Sequence, residues 1–315
     1  MVSRIVIALG GNAILPASHE ASLAEQCAAI ARACDQIVPI VAEGNLVVIT
    51  HGNGPRVGNL LLQQEVGASL APALPLDLCV GMTQGQIGTM LQQVLTNRLR
   101  GLNVQREVVT LVSHFLVDGG DPDFRAMSKP IGPYLTEDAG RDAERRGIVV
   151  KSLGKDPARP YRRVVRSPMP LRLLEKRVLK TLVDDGAVVI AAGGGGIPVV
   201  MDSEGAYRSV EAVIDKDLAA EKLAEVMLAD TMLILTDVRQ VYLRYGTQEQ
   251  AALERVTLEE ARRYQREGHF GQGSMGPKVQ ACVEFLEYGG DVAVIAALDS
   301  AEAALRAEAG TRFVR

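Results

Sequence analysis

Four glycine-rich segments and two lysines carry most of the chemistry legible in this chain. Gly10-Gly11-Asn12 directly follows the apolar run RIVIAL. Residues without side chains let the backbone approach a ligand closely, and successive N–H groups can form a nest for an anion. His51-Gly52-Asn53-Gly54-Pro55 follows a second apolar run, with a helix expected to start near Pro55. A helix N-terminus with free N–H groups suits a carboxylate or a phosphate. Asn53 could hydrogen-bond a small ligand or simply stabilise the turn. Gly193 to Gly196 are four consecutive glycines, each costly in conformational entropy, so a backbone pressed against a ligand is expected there. Gly271-Gln272-Gly273-Ser274-Met275-Gly276 fits the dinucleotide-binding spacing by letter. It follows a charged helical segment rather than a strand, so that reading fails its context test.

Lys278 falls in the first turn of the helix expected after that loop, where a cation opposes the helix dipole and an anionic ligand would justify it. Lys216 stands between Asp215 and Asp217 just before a helical stretch. This trio is either an exposed cap or an ammonium held by an aspartate and aimed at a phosphate. Thr236-Asp237 ends a strand, and Tyr242 beyond it could stack on a base or merely pack.

These residues need a scaffold that gathers them. Apolar runs at 4–10, 46–50, 108–112, 187–192, 231–236 and 291–297 read as strands buried on both faces. Helical patterns near 20–43, 84–100, 172–185, 216–228, 257–267 and 277–289 alternate with them, which indicates an α/β sandwich. Three glycine turns at three strand ends point to one shared cleft, because open parallel sheets bind ligands beyond the carboxyl ends of their strands. The rhythm breaks at about 114–170, a segment with seven prolines that reads as an insertion or small subdomain. Residues 141–180 carry 13 Lys and Arg against 4 Asp and Glu, either a solvated face or a field that attracts a small anion.

Composition removes several function classes. In 315 residues, 47% hydrophobic and 23% charged describe an ordinary globular protein, not a disordered chain or a rod. A formal net charge of −4 argues against a general nucleic-acid binder. Cys27, Cys34, Cys79 and Cys282 form no CxxC pair and read as buried free thiols, with Cys27 and Cys34 on one helix face. No apolar window reaches a membrane span, no signal segment is evident, and a cytoplasmic location is expected.

Taken in order, GGNA, HGNGP, QGQIG, KPIGPY, YRRVVRSP, GGGGIPV, VIDKDLAAEKLA, LTDV–VY and GSMGPK resemble the carbamate kinases, within the amino acid kinase superfamily. The resemblance spans roughly residues 4 to 315. It implies a three-layer αβα sandwich with a mainly parallel eight-stranded sheet, a single domain over 1–315, and a small protruding subdomain inserted at about 114–170. It further implies a homodimer, and reversible phosphoryl transfer between ATP and carbamate giving ADP and carbamoyl phosphate. By motif, Lys129, Lys216 and Lys278 neutralise the transferring and nucleotide phosphates, and Asp217 organises them. Gly10, Gly11, Asn12, Gly52, Asn53 and Gly54 match the loops around carbamate and the transferred phosphoryl group. The nucleotide is expected at Gly194, Gly195, Asp215, Asp237, Tyr242, Met275 and Gly276. Mg²⁺ is expected on the nucleotide phosphates, with no residue assigned as a metal ligand. The chain departs from the common pattern at Pro160, Tyr161, Arg166, Ser113 and His114, all in or near the insertion. Another phosphotransferase of the superfamily, or a silent nucleotide-binding protein on the same fold, are the alternatives; the three lysines argue against the silent one.

Phosphoryl transfer needs in-line positioning and charge stabilisation more than covalent help, so the lack of a catalytic His or Cys constellation fits. The insertion is expected to act as a mobile lid that carries Lys129 and excludes water.

Overall fold

A computed structural model describes residues 2–14, 22–154, 156–271 and 275–315. The apolar runs form the strands expected of them. Arg4–Leu9, Leu46–His51, Val188–Ala191 and Thr231–Thr236 are buried almost throughout, because helices cover both of their faces. Side chains alternate between two cores. Val6, Ala8, Val48 and Ile234 face one side, while Ile5, Ile7, Val47 and Leu235 face the other.

Eight strands make the main sheet, in the spatial order 255–257, 311–314, 292–297, 231–236, 4–9, 46–51, 188–191, 108–111. Neighbours run parallel except 292–297 with 311–314, which pair antiparallel. Four consecutive parallel neighbours, 231–236 through 188–191, therefore end on one edge of the sheet. The turns at 236–238, 10–12, 52–54 and 193–196 follow those ends side by side.

The segment 114–170 divides into two parts. Strand His114–Val117 joins a four-stranded sheet with Pro170–Leu173, Ile197–Met201 and Tyr207–Ser209. Lys129–Leu135, Val150–Ser152 and Tyr161–Val165 form a separate antiparallel sheet with helix Glu137–Arg145 beside it.

Three expectations differ from the structure. The helix expected at 84–100 runs from Leu76 to Gly101, since Gly81, Gly85 and Gly88 dilute its apolar period. The helix expected at 172–185 begins at Lys176, because Pro170–Leu173 pairs as a strand with His114–Val117. Cys27 is exposed while Cys34 is buried: the first turns of helix Leu23–Ala42 overhang the core, and only Gln26 is covered there before Ala29.

Candidate active site

A cleft of about 470 Å³ opens at the carboxyl edge of the four parallel strands. Gly10, Gly11, Gly52, Asn53 and Gly54 form one part of its wall. Asp237, Tyr242 and Met275 form another, with Tyr245 and Phe270 beside them. Lys129, Asp215, Lys216, Asp217 and Lys278 also line it, with Lys216 against Gly52, so residues from Gly10 to Lys278 share one cavity.

The lysines are held by two carboxylates. Lys129 pairs with Asp215, and Lys216 pairs with Asp217. Lys278 Nζ donates to Asp217 Oδ2 at 3.0 Å. Asp215 is also the N-cap of helix Lys216–Met227, its carboxylate accepting from the Asp217 backbone N–H at 2.9 Å. The trio at 215–217 is thus a cap, but a buried one: Lys216 is 7% exposed and Asp217 2%. The cap fixes the aspartates, and the aspartates fix the ammonium groups, so the cations require little reorganisation when charge develops. Lys278 is the fourth residue of helix Met275–Tyr288, and Asp217 supplies the anion that its unfavourable place in the helix dipole calls for.

Burial alone would raise both aspartates. The Lys129 and Lys216 ammonium groups outweigh it at Asp215, and Lys216 with Lys278 at Asp217, so both sit below the usual carboxylate range. Burial lowers Lys216, and Asp217 only partly compensates. At Lys278 burial works in the same direction, but Asp217 and Asp215 outweigh it and raise the group. His51 ends a strand beside these groups, yet burial pushes it down to about 4, which removes it as a cation at neutral pH.

The glycine run is needed first for close packing within the protein. Gly194 has φ +68, and a Cβ there would stand 2.0 Å from Asn53 Nδ2. The run is pressed against the protein's own side chains: Gly193 abuts His51, and Gly196 abuts Phe115. Only Gly194 of the four borders the cleft, at its Asn53 end; Gly195 is packed behind it on the Ile214 carbonyl. Gly276 likewise lies outside the cleft wall, its N–H donating to the Gly271 carbonyl at 2.9 Å. Asn53 occupies an N-cap position without capping; its amide donates to Thr83 Oγ1 at 2.8 Å. Asn12 lies in the short helix Gly11–Ile14, and its side chain is outside the described residues, as are Gly273 and Ser274 of GSMGPK.

Pro160, Tyr161, Arg166, Ser113 and His114 do not line the cleft. Ser113 and Gln84 exchange two hydrogen bonds, and His114 binds Glu175 at 2.8 Å, so these residues secure the scaffold. Sequence reasoning overlooked Arg162, which does line the cleft. The signal available was its place in YRRVVRSP, within the basic stretch.

One turn beyond Asp217, Glu221 is fully buried. Burial, with Glu225 adding to it, pushes its carboxyl up to about 8 despite Lys222 at 2.9 Å. The folded chain therefore keeps a proton that the unfolded chain releases near 4.5, and stability falls as pH rises from about 4.5 to 8. Glu221→Gln is expected to remove that slope, so its gain in melting temperature over the parent is larger at pH 8 than at pH 5. Equal differences at the two pH values would contradict the assignment.

Glycine turns at parallel strand ends and a caged set of ammonium groups define a phosphotransferase of the αβα type. The sequence pattern of the amino acid kinase family matches residues 3–297. The carbamate kinase of Pyrococcus furiosus is 47% identical over 317 residues, covering all of both chains. The carbamate kinase of Giardia lamblia, solved with citric acid, superposes with a TM-score of 0.92 at 38% identity, covering 99% of this chain and 98% of that one. The same enzyme solved with AMP-PNP gives 0.89 at 39%, with the same coverage. The chain belongs to the amino acid kinase family, and within it to the carbamate kinases.

Proposed function

We propose that this chain transfers a phosphoryl group reversibly between ATP and carbamate, with carbamoyl phosphate and ADP as the other pair. The observation that carries the reading is the convergence of Lys129, Lys216 and Lys278 on Asp215 and Asp217 inside one cleft. Three ammonium groups against two carboxylates leave a net positive charge, which suits phosphate oxygens. Carbamate oxygen is already anionic, so no general base is needed to make it a nucleophile. The nucleotide lies toward Tyr242 and Met275, and the acceptor lies at the 52–54 turn, whose three residues line the cleft.

Mg²⁺ fits this donor set as an ion carried in on the nucleotide. Among the described residues no three His, Cys, Asp or Glu side chains converge; Asp215 and Asp217 are taken up by the lysines, and Asp237 is the further carboxylate in the cleft wall that would help hold the ion. When bound, it would neutralise negative charge on the nucleotide phosphates.

The sheet at 129–165 acts as a lid over the acceptor. Its support is that Lys129 reaches Asp215 from a sheet with no strand in common with the main one. The chain also pairs as a homodimer through Leu62 and Val66 of helix Gly54–Gly67, Leu70 and Leu74 of the turn after it, and Leu78 and Met82 of helix Leu76–Gly101, all exposed, Leu70 by 92%. A monomer rarely leaves so many large apolar side chains bare over one short stretch. Leu70→Glu is expected to give monomers in sedimentation velocity; a dimer unaffected by it would remove this surface from the interface.

The function is tested by incubating purified chain and Mg²⁺-ADP with carbamoyl phosphate or with acetyl phosphate. ATP formed preferentially from carbamoyl phosphate is expected. Equal rates would assign a different acyl acceptor, and no ATP from either would make the chain a silent binder. No described helix is long and apolar enough to cross a membrane.

A further inference from the structure

Arg162 occupies the middle strand of the 129–165 sheet, and its side chain lines the cleft together with Lys129 and Pro130. Its neighbour Arg163 points to the other face, as strand alternation requires, and bonds Glu65 at 2.5 Å. Arg162 has no such carboxylate: among the described residues it forms no ion pair within 4.0 Å. Its Nε donates to the Gly132 carbonyl at 3.0 Å, and its guanidinium carbon sits 5.0 Å from the centre of the Tyr134 ring. One edge and one face of the guanidinium are thereby fixed. Burial disfavours its charge, and Tyr134, which also hydrogen-bonds the guanidinium, only partly offsets that. The other cations of the cluster each have an aspartate.

The position is specific. Pro130 and Gly132 border the start of helix Gly54–Gly67, where a Cβ on Gly54 would lie 3.5 Å from the Pro130 carbonyl. Arg162 is therefore tied, through Gly132, to the strand that packs on the start of this helix, just beyond the 52–54 turn. A planar fork without a counter-ion, fixed by Gly132 and Tyr134 in the cleft wall, matches an oxyanion that presents two oxygens.

We propose that Arg162 is a specificity-determining residue that grips the oxyanion of the acceptor-side ligand, a small carboxylate or its acyl phosphate, and not the nucleotide. This rests on the functional reading above. Because Arg162 belongs to the lid, acceptor binding also draws the lid shut: the ligand supplies the counter-charge that the protein withholds.

The test uses the full chain with Arg162→Met, which keeps length without charge, and Arg162→Lys, which keeps charge without the fork. In the ATP-forming direction, the methionine variant is expected to lose ~10–100-fold in kcat/KM for carbamoyl phosphate, the range for a hydrogen-bonded charge. Its KM for ADP should stay within about twofold, and the lysine variant should fall between it and the parent. An unchanged carbamoyl phosphate KM, or equal losses for both substrates, would overturn the proposal, the second by reassigning Arg162 to lid folding. Calorimetric titration with inorganic phosphate separates this claim from the functional one. If the parent makes no ATP from carbamoyl phosphate, weaker phosphate binding by Arg162→Met still supports an oxyanion grip, whereas equal binding refutes it.

Discussion

Replacing Lys129, Lys216 or Lys278 with alanine is expected to lower turnover by ~10²-fold or more, the scale for losing one charge-stabilising donor. Each ammonium group lines the cleft and is oriented by a buried carboxylate. Their partners make a further distinction. Lys129→Ala leaves Asp215 beside Lys216 and Lys278, so the fold should tolerate it. Asp217→Asn instead strips the shared carboxylate from two buried lysines, the circumstance in which breaking a buried pair costs about 3–5 kcal/mol. Steady-state turnover and thermal unfolding, measured together, separate these effects. Near-parental turnover in all three lysine variants would remove the cluster from the chemistry.

Gly58→Ala should be nearly as damaging, although Gly58 touches no part of the cleft. A Cβ there would lie 2.1 Å from both the Cα and the N of Gly132. Helix Gly54–Gly67 and strand Lys129–Leu135 meet backbone to backbone at that point, with Gly132 at φ +69. An added methyl has no flexible side chain to displace, so the whole strand must move, taking Lys129 and the Arg162 contact at Gly132 with it. A displacement of ~1 Å at a reacting group can cost ~10²-fold, so turnover is expected to fall by that order while ADP binding persists. Gly67→Ala, at the other end of the same helix, meets nothing within 4 Å and serves as the control. Hydrogen exchange adds a second readout. The parent should gain protection around 125–135 with ADP and carbamoyl phosphate, and Gly58→Ala should not. Full activity in Gly58→Ala would sink the idea that the lid must seat on this helix.

The sandwich was legible because its strands are continuous apolar runs whose character does not depend on distant contacts. Thr231–Thr236 and Val292–Ala297 stand almost where the residues alone put them. The carboxyl-edge cleft followed from strand ends that finish in glycine. The GGGG run was harder. Glycine reports a close approach but not what approaches, and here His51, Asn53 and Phe115 do so. Lys129 could be singled out only by motif resemblance, because nothing in its local sequence says that it reaches Asp215, 86 residues away. Arg162 was hidden for a related reason. In a run of two arginines, sequence cannot tell which one a strand turns toward Glu65 and which toward the cleft.

The central claim is that one cleft holds nucleotide and acceptor at opposite ends, with the lysine cluster between them. A crystal structure of the chain with a non-hydrolysable ATP analogue tests it most directly. The account predicts the base near Tyr242 and Met275, the terminal phosphoryl group against Lys216 and Lys278, and the 52–54 turn left open for the acceptor. Nucleotide phosphates seated on the 52–54 turn would contradict it.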